Sequence, residues 1–287
     1  MLKLKRKKVR HSGRKLGGDI TILIFLLVMA LFMAIPLYYA IVTAFKPLDE
    51  IYAFPPKLYV VRPTSDNFKL LFKLCAKLWV PFSRYIFNSI FTSVVATVGH
   101  VIIASMAAYV LAKHRLMIGG FFKLVILALL FNGTVLWLPQ YVIMAKLGMI
   151  NTYWAYILPN LAMPLGLFLM KQFMEQVPTA LIEAAEIEGA GHFKIFMSVV
   201  MPMVKPAWLT LMIFCFQSVW NANYDSQIFD EQLKVINSAI SQVASGGISR
   251  TGAAMAGSLF VMIPPILVFV FSQNSVVETM AHSGVKG

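Results

Sequence analysis

The chain has 287 residues, 59% of them hydrophobic and 13% charged, with a formal net charge of +13. Soluble domains carry about twice that share of charged residues, so an ordinary cytosolic or secreted globule is excluded and a lipid environment is expected. Nucleic acid is not the expected partner of the positive charge, because Lys3, Lys5, Arg6, Lys7, Lys8, Arg10, Arg14 and Lys15 crowd together just ahead of the first apolar run.

That placement reads residues 1–19 as a basic cytoplasmic tail lying against anionic membrane lipid. The apolar run that follows, 20–42, is long enough to span and too long for a cleaved leader, so it predicts a retained helix. Further runs near 84–111, 120–143, 153–170, 203–221 and 252–273 predict a six-span, all-α polytopic bundle. With the tail inside, 112–119, 171–202 and 274–287 are also inside, and 43–83, 144–152 and 222–251 are outside; both termini are cytoplasmic. Tyr38, Tyr39, Trp79, Tyr85, Trp137, Tyr141, Tyr153, Trp154, Trp220 and Tyr224 fall near the outer helix ends and agree with this register as headgroup-level aromatics. Lys46, Lys57, Arg62, Lys69, Lys73 and Lys77 in the first outer connection run against the charge rule.

Within that connection, Phe68, Leu71, Cys75, Leu78 and Trp79 recur at helical spacing beside Lys69, Lys73 and Lys77, predicting an amphipathic helix on the outer surface or packed on the bundle. Cys75 and Cys215 have neither CxxC nor metal-ligand spacing. Pro159 and Pro164 in the fourth span, and Pro264 and Pro265 in the sixth, predict bends for packing or for shaping a solute path.

The segment from Pro178 to Pro206 carries the most information. Good helix formers run to Glu188, Gly189 and Gly191 break the helix, and a second short helix follows with Phe193, Phe196, Val199 and Val200 as an apolar stripe and Pro202 as its stop. Two short helices joined at glycine form a compact knob able to transmit a push. The positions Glu183, Ala184, Ala185, Gly189, Ala190, Phe196, Val199 and Pro202 resemble the EAA loop of ABC importer permeases. Glu188, Met201 and Ala180 depart mildly from that pattern. The likeness extends to Ala44-Phe45-Lys46-Pro47, Arg84-Tyr85-Ile86-Phe87-Asn88-Ser89-Ile90, Leu147-Gly148-Met149-Ile150-Asn151-Thr152 and the terminal Gly284-Val285-Lys286-Gly287, and is greatest for the maltose-type, carbohydrate-importing subunit with six spans.

The resemblance implies a type I ABC importer permease fold in the bacterial cytoplasmic membrane. It also implies a core of residues 84–273 with a coupling segment at 178–202 that docks on a cytoplasmic ATPase dimer, a second homologous permease subunit and an extracytoplasmic solute-binding protein. Glu183 would pair with a basic residue of the ATPase. No GxxxxGK[ST] sequence occurs, so ATP and Mg are expected on the partner ATPase, with no cofactor or metal on this chain and no catalytic residue. Asn132, Trp137, Asn160, Gln217, Trp220, Asn221 and Asn223 are the candidates for contact with a hydroxyl-rich solute, each weighed against a role as helix tie or interfacial anchor. The alternative is an ion-coupled secondary carrier, for which His100, near the middle of the second span, is the one candidate relay; a hydrogen bond to a neighbouring helix is its plainer role. A membrane enzyme would require HExxH, GxSxG or an intramembrane aspartate pair, and none is present.

Overall fold

The computed structural model describes residues 16–77, 80–113, 119–131 and 133–284. The described residues are helical with no β-strand. The chain runs α1 (Leu16–Ala44), α2 (Leu48–Tyr52), α3 (Asp66–Cys75), α4 (Phe82–Lys113), α5 (Gly119–Leu129), α6 (Gly133–Lys146), α7 (Trp154–Leu161) and α8 (Pro164–Glu175). It continues through α9 (Thr179–Ile187), α10 (His192–Ile195), a π-helical turn at Phe196–Val200, α11 (Met201–Met203), α12 (Lys205–Asn221), α13 (Ile236–Ala244) and α14 (Thr251–Gly284).

Helix α4 is the axis of the bundle, packed by α7, α8 and α12, while α14 joins α12 to α1 and α3. Its buried positions include Ser89, Thr92, Ser93, Ala96, Thr97, Ala104, Ser105 and Ala108, recurring every three to four residues. Small side chains on one stripe let neighbouring backbones approach closely, which is how helices gain packing energy where lipid supplies no hydrophobic drive between them. The opposite stripe, with Phe87, Val94, Val98 and Ile102, is exposed, as a lipid- or subunit-facing surface would be. Residues 20–39 of α1 are likewise uncovered by the rest of the chain.

Among the described residues four helical stretches are long and apolar enough to cross a membrane, Ile20–Ala44, Phe82–Lys113, Trp154–Glu175 and Ile248–Gln273, and the pair His192–Met203 and Lys205–Asn221 meets the same length and composition only when its two bent limbs are taken together. The six-span count therefore stays an expectation, and the difference lies in the third run. Where a continuous helix over 120–143 was expected, α5 and α6 are separate, and Gly133, a poor helix former, opens the second of them. The fourth span breaks as its prolines predict: Ala162 and Met163 leave helical geometry and Pro164 opens α8, where its missing N–H costs nothing. Pro264 and Pro265 lie inside one helix, α14, which continues well past the expected end at 273.

Helix α3 is amphipathic as expected, with Leu71 and Cys75 fully covered by Ala253 and Ala256 of α14, so its apolar face packs on the bundle. Leu78, Trp79, the basic tail up to residue 15, and Val285, Lys286 and Gly287 lie outside the described residues.

Candidate coupling elbow and outer clasp

Two built sites stand at opposite ends of α4. The first is the segment 178–206. Helix α9 closes with Gly189 at φ +80°, Gly189 N–H donating to the Glu186 carbonyl at 2.9 Å and Ala190 N–H to the Ala185 carbonyl at 3.0 Å. This paired capping satisfies the last carbonyls of the helix and requires a left-handed residue, which is why glycine stands there. The second arm then starts at Gly191 and runs to Met203.

Ile182, Ile195, Phe196, Val200 and Val204 bury themselves against Val101, Ala104, Ala108 and Tyr109 of α4 and Met170, Phe173 and Met174 of α8. The Phe196 and Tyr109 rings are 5.4 Å apart, and Lys113 at the end of α4 donates to the Val177 carbonyl at 2.5 Å. The elbow is thus held as one piece with the bundle. The expected apolar stripe is partly corrected: Phe196 and Val200 are buried and Val199 half-buried, but Phe193 is 70% exposed, and Ile187 in the first arm is 88% exposed. Glu183, Ala184 and Gly189 are exposed beside them, and Ala185 is half-covered.

The second helix ends at Met203, one residue past the expected stop at Pro202. The chain widens to a π turn at Phe196–Val200, with Met201 N–H bonded to the Phe196 carbonyl, and Pro202 sits in the α-turn that follows. A proline lacks the donor for the carbonyl four residues back, and the widened turn is one of the irregularities that accommodate it. The chain then turns at Val204, bending by 83° into α12. Trp208 Nε1 straps this corner by donating to the Met201 carbonyl at 3.2 Å.

The second site is a polar clasp at the other end of α4, holding the 222–236 segment onto the bundle. Asn88 Nδ2 donates to the Gln232 and Lys234 carbonyls, each at 2.8 Å, and its Oδ1 accepts from the Tyr153 hydroxyl at 2.8 Å. Ser89 Oγ accepts from Ile236 N–H at 2.8 Å and the Tyr156 hydroxyl donates to the Leu233 carbonyl at 3.0 Å. Glu231 is the charged centre: its carboxylate accepts from the Tyr85 hydroxyl at 2.6 Å, Lys234 Nζ at 2.6 Å and Gln242 Nε2 at 3.0 Å. Burial alone would raise its pKa, but the bonds from Lys234, Tyr85 and Gln242 outweigh that and hold it below the ordinary carboxylate value. Asn151, at φ 59°, accepts from Phe229 and Asp230 N–H at 3.0 and 2.7 Å.

The clasp accounts for two stretches singled out in the sequence without a physical role, Arg84–Ile90 and Leu147–Thr152. It also corrects the reading of three aromatics: Tyr85, Trp220 and Tyr224 are buried in this network or its neighbours rather than facing headgroups. The Tyr224 hydroxyl is pushed up to about 12 by burial, partly countered by the bond from Asn160. The sequence does not mark Tyr156, Asn88 or the Tyr85–Glu231 pair as ties, because those partners lie far apart along the chain.

The described solute-contact candidates have unlike surroundings. Asn160 Nδ2 is taken up by the Tyr156 carbonyl and Tyr224 hydroxyl at 2.7 and 2.8 Å, and Trp220 Nε1 by the Val261 carbonyl at 2.9 Å, so both serve as helix ties in this structure. Asn223 Oδ1 caps its own turn by accepting from Asp225 N–H at 2.8 Å. Trp137 stacks on Tyr141 and is exposed, as is Asn221, while Gln217 is half-buried; Asn132 lies outside the described residues. His100 has the plainer of its two roles: it is buried against Gly166, and its Nδ1 is 2.9 Å from the Leu161 carbonyl, at the break of the fourth span. A 390 Å³ apolar cavity between α4, α5 and this break has His100 in its wall.

No protein-family model matches the chain. Among curated proteins it is 30% identical to the probable ABC transporter permease protein YurM of Bacillus subtilis, over 94% of this chain and 89% of that one. It is 27% identical to the polygalacturonan/rhamnogalacturonan transport system permease protein YtcP of the same organism, over 94% and 98%. Among solved structures, a bacterial ABC transporter involved in the import of the acidic polysaccharide alginate superimposes with a TM-score of 0.77 at 20% identity, covering 93% of this chain and 99% of that one. With an elbow capped at Gly189, a broken fourth span and relatives matched nearly end to end, this multi-pass membrane chain belongs to the ABC transporter permease family.

Proposed function

We propose that the chain is the membrane subunit of an importer for a sugar or oligosaccharide, driven by ATP hydrolysed on a separate cytoplasmic dimer and coupled through residues 178–202. The observation that carries this reading is the elbow, whose inner side is packed into the bundle while Ile187, Phe193 and Glu183 are left uncovered at its tip. An apolar tip with an acidic flank fits a cleft that carries a basic residue. Closure of the ATPase dimer would push the tip and rock the helices packed behind it, giving alternating access. In this reading the basic tail and the end of α14 are cytoplasmic, a second homologous permease completes the path, and an extracytoplasmic binding protein delivers the solute to the clasp end. The saccharides in the names of the matched relatives support the solute class.

The test is transport by the assembled complex in liposomes. Gly189→Pro forces φ near −65° on a residue held at +80° and dismantles the helix cap, while Glu183→Lys reverses the charge at the tip. Both variants are expected in the membrane at normal levels with ATP-dependent sugar uptake lost. Full uptake by both refutes coupling through the elbow, and uptake by the chain alone under a proton gradient establishes the ion-coupled alternative.

A further inference from the structure

The connection between α1 and α3 carries a loop that neither the elbow nor the clasp uses. Residues 47–62 are stapled at their base: Glu50 accepts from Val61 and Arg62 N–H at 3.0 and 2.8 Å, Arg62 pairs with Asp49, and Thr64 N–H donates to the Phe45 carbonyl at 2.9 Å. Lys46, buried just past the end of α1, donates from Nζ to the Lys57 carbonyl. Beyond these ties the loop presents Tyr52, Phe54, Leu58, Tyr59 and Val61 as exposed side chains, with Phe54 95% exposed and Lys57 Nζ 5.9 Å from the Tyr59 ring centre.

We infer that this loop is an interfacial anchor, seated in the headgroup layer of the bilayer at the end of α1, with Phe54 turned toward the acyl chains and Lys57 toward anionic headgroups. Position carries the argument. Phe54 is three residues from Lys57, whose carbonyl is tied to a lysine two residues beyond α1, so the tip lies within about 10 Å of chain from that tie. That reach is comparable to the headgroup layer, some 5–8 Å deep on each side of the hydrocarbon core, so the tip stays beside the bilayer surface. Composition agrees: exposed tyrosines and a phenylalanine beside lysine match the residues that favour this depth. A soluble partner would have to reach an apolar tip held beside the lipid surface, next to a span whose residues 20–39 are uncovered by the rest of the chain. The inference rests on the chain being membrane-embedded and is independent of solute and ATPase.

The experiment places a spin label at Phe54→Cys in the intact transporter in nanodiscs; Cys75 and Cys215 are buried and leave the introduced thiol as the accessible one. Collision with oxygen is expected to exceed collision with an aqueous nickel chelate. In a Glu50→Gln background, which loosens the staple, the ratio is expected to fall. Pure phosphatidylcholine should give a shallower label than discs containing phosphatidylglycerol, and Lys57→Gln should abolish that difference. A label more accessible to nickel than to oxygen in both lipids, or one shielded only when an extracytoplasmic protein is added, overturns the inference.

Discussion

Replacing Asn88 with alanine tests the clasp most directly. The side chain is fully buried and makes three bonds of 2.8 Å, two given to the Gln232 and Lys234 carbonyls and one accepted from Tyr153. At about 1 kcal/mol net per bond, the loss of three bonds is about 3 kcal/mol. Because about 1.4 kcal/mol is a factor of ten, opening of the 231–236 segment should become roughly a hundredfold more frequent. Hydrogen exchange reads this at the Ile236 amide, which Ser89 Oγ holds in the same clasp. Asn88→Asp keeps the acceptor for Tyr153 but turns a carboxylate toward the two carbonyls, and should be at least as harmful. Tyr153→Phe removes one bond and should cost about 1 kcal/mol. If the Asn88→Ala protein exchanges Ile236 at the parent rate, the clasp does not hold this segment and the reasoning fails.

Two further outcomes follow from other contacts. A Cβ at Gly166 would lie 2.0 Å from His100 Nε2 and 2.9 Å from Leu211 Cδ1, so Gly166→Ala should lower thermal stability by about 1–3 kcal/mol through overpacking, with partial rescue by His100→Ala; no loss in the single variant contradicts the packing. The Glu231 carboxyl titrates below its ordinary value of 4.5. A carboxylate depressed in the folded state contributes stability that is complete above the ordinary value and disappears as pH falls through the folded one. Protection of the Ile236 amide, corrected for intrinsic exchange, should therefore hold from neutrality down to the ordinary carboxylate range and fail only in stronger acid, and the Glu231→Gln protein should lose that acid-dependent step.

What the sequence disclosed was what repeats locally. Apolar length located four of the expected spans as long helical stretches, the glycine after Glu188 located the elbow joint, and Pro164, read as a bend, marks the break of the fourth. The clasp was hidden because its strongest ties join residues far apart: Tyr85 to Glu231, Asn88 to Lys234, Tyr156 to Leu233. Nothing in the neighbourhood of Asn88 signals that two carbonyls of a distant loop will arrive there. The small-residue stripe of α4 was present at helical spacing and is the one signal in the sequence that marks this helix as the axis. Pro202 located the end of the second helix to within a residue, while the widened turn just ahead of it left no sign in the sequence.

Under the proposed coupling, the 83° corner at Val204 would let the second arm and α12 act as a bell crank. The arm from His192 to Met203 is about 18 Å long at 1.5 Å per residue, so a sideways displacement of about 3 Å at its free end corresponds to a rotation of roughly 10° carried around the corner to α12. Val204 is buried and Trp208 braces the inside of the angle, so the two limbs turn together instead of flexing. In that proposal a small stroke at the surface would be exchanged for a swing of the helix that ends beside the clasp, with the geometry of the corner setting the ratio between them.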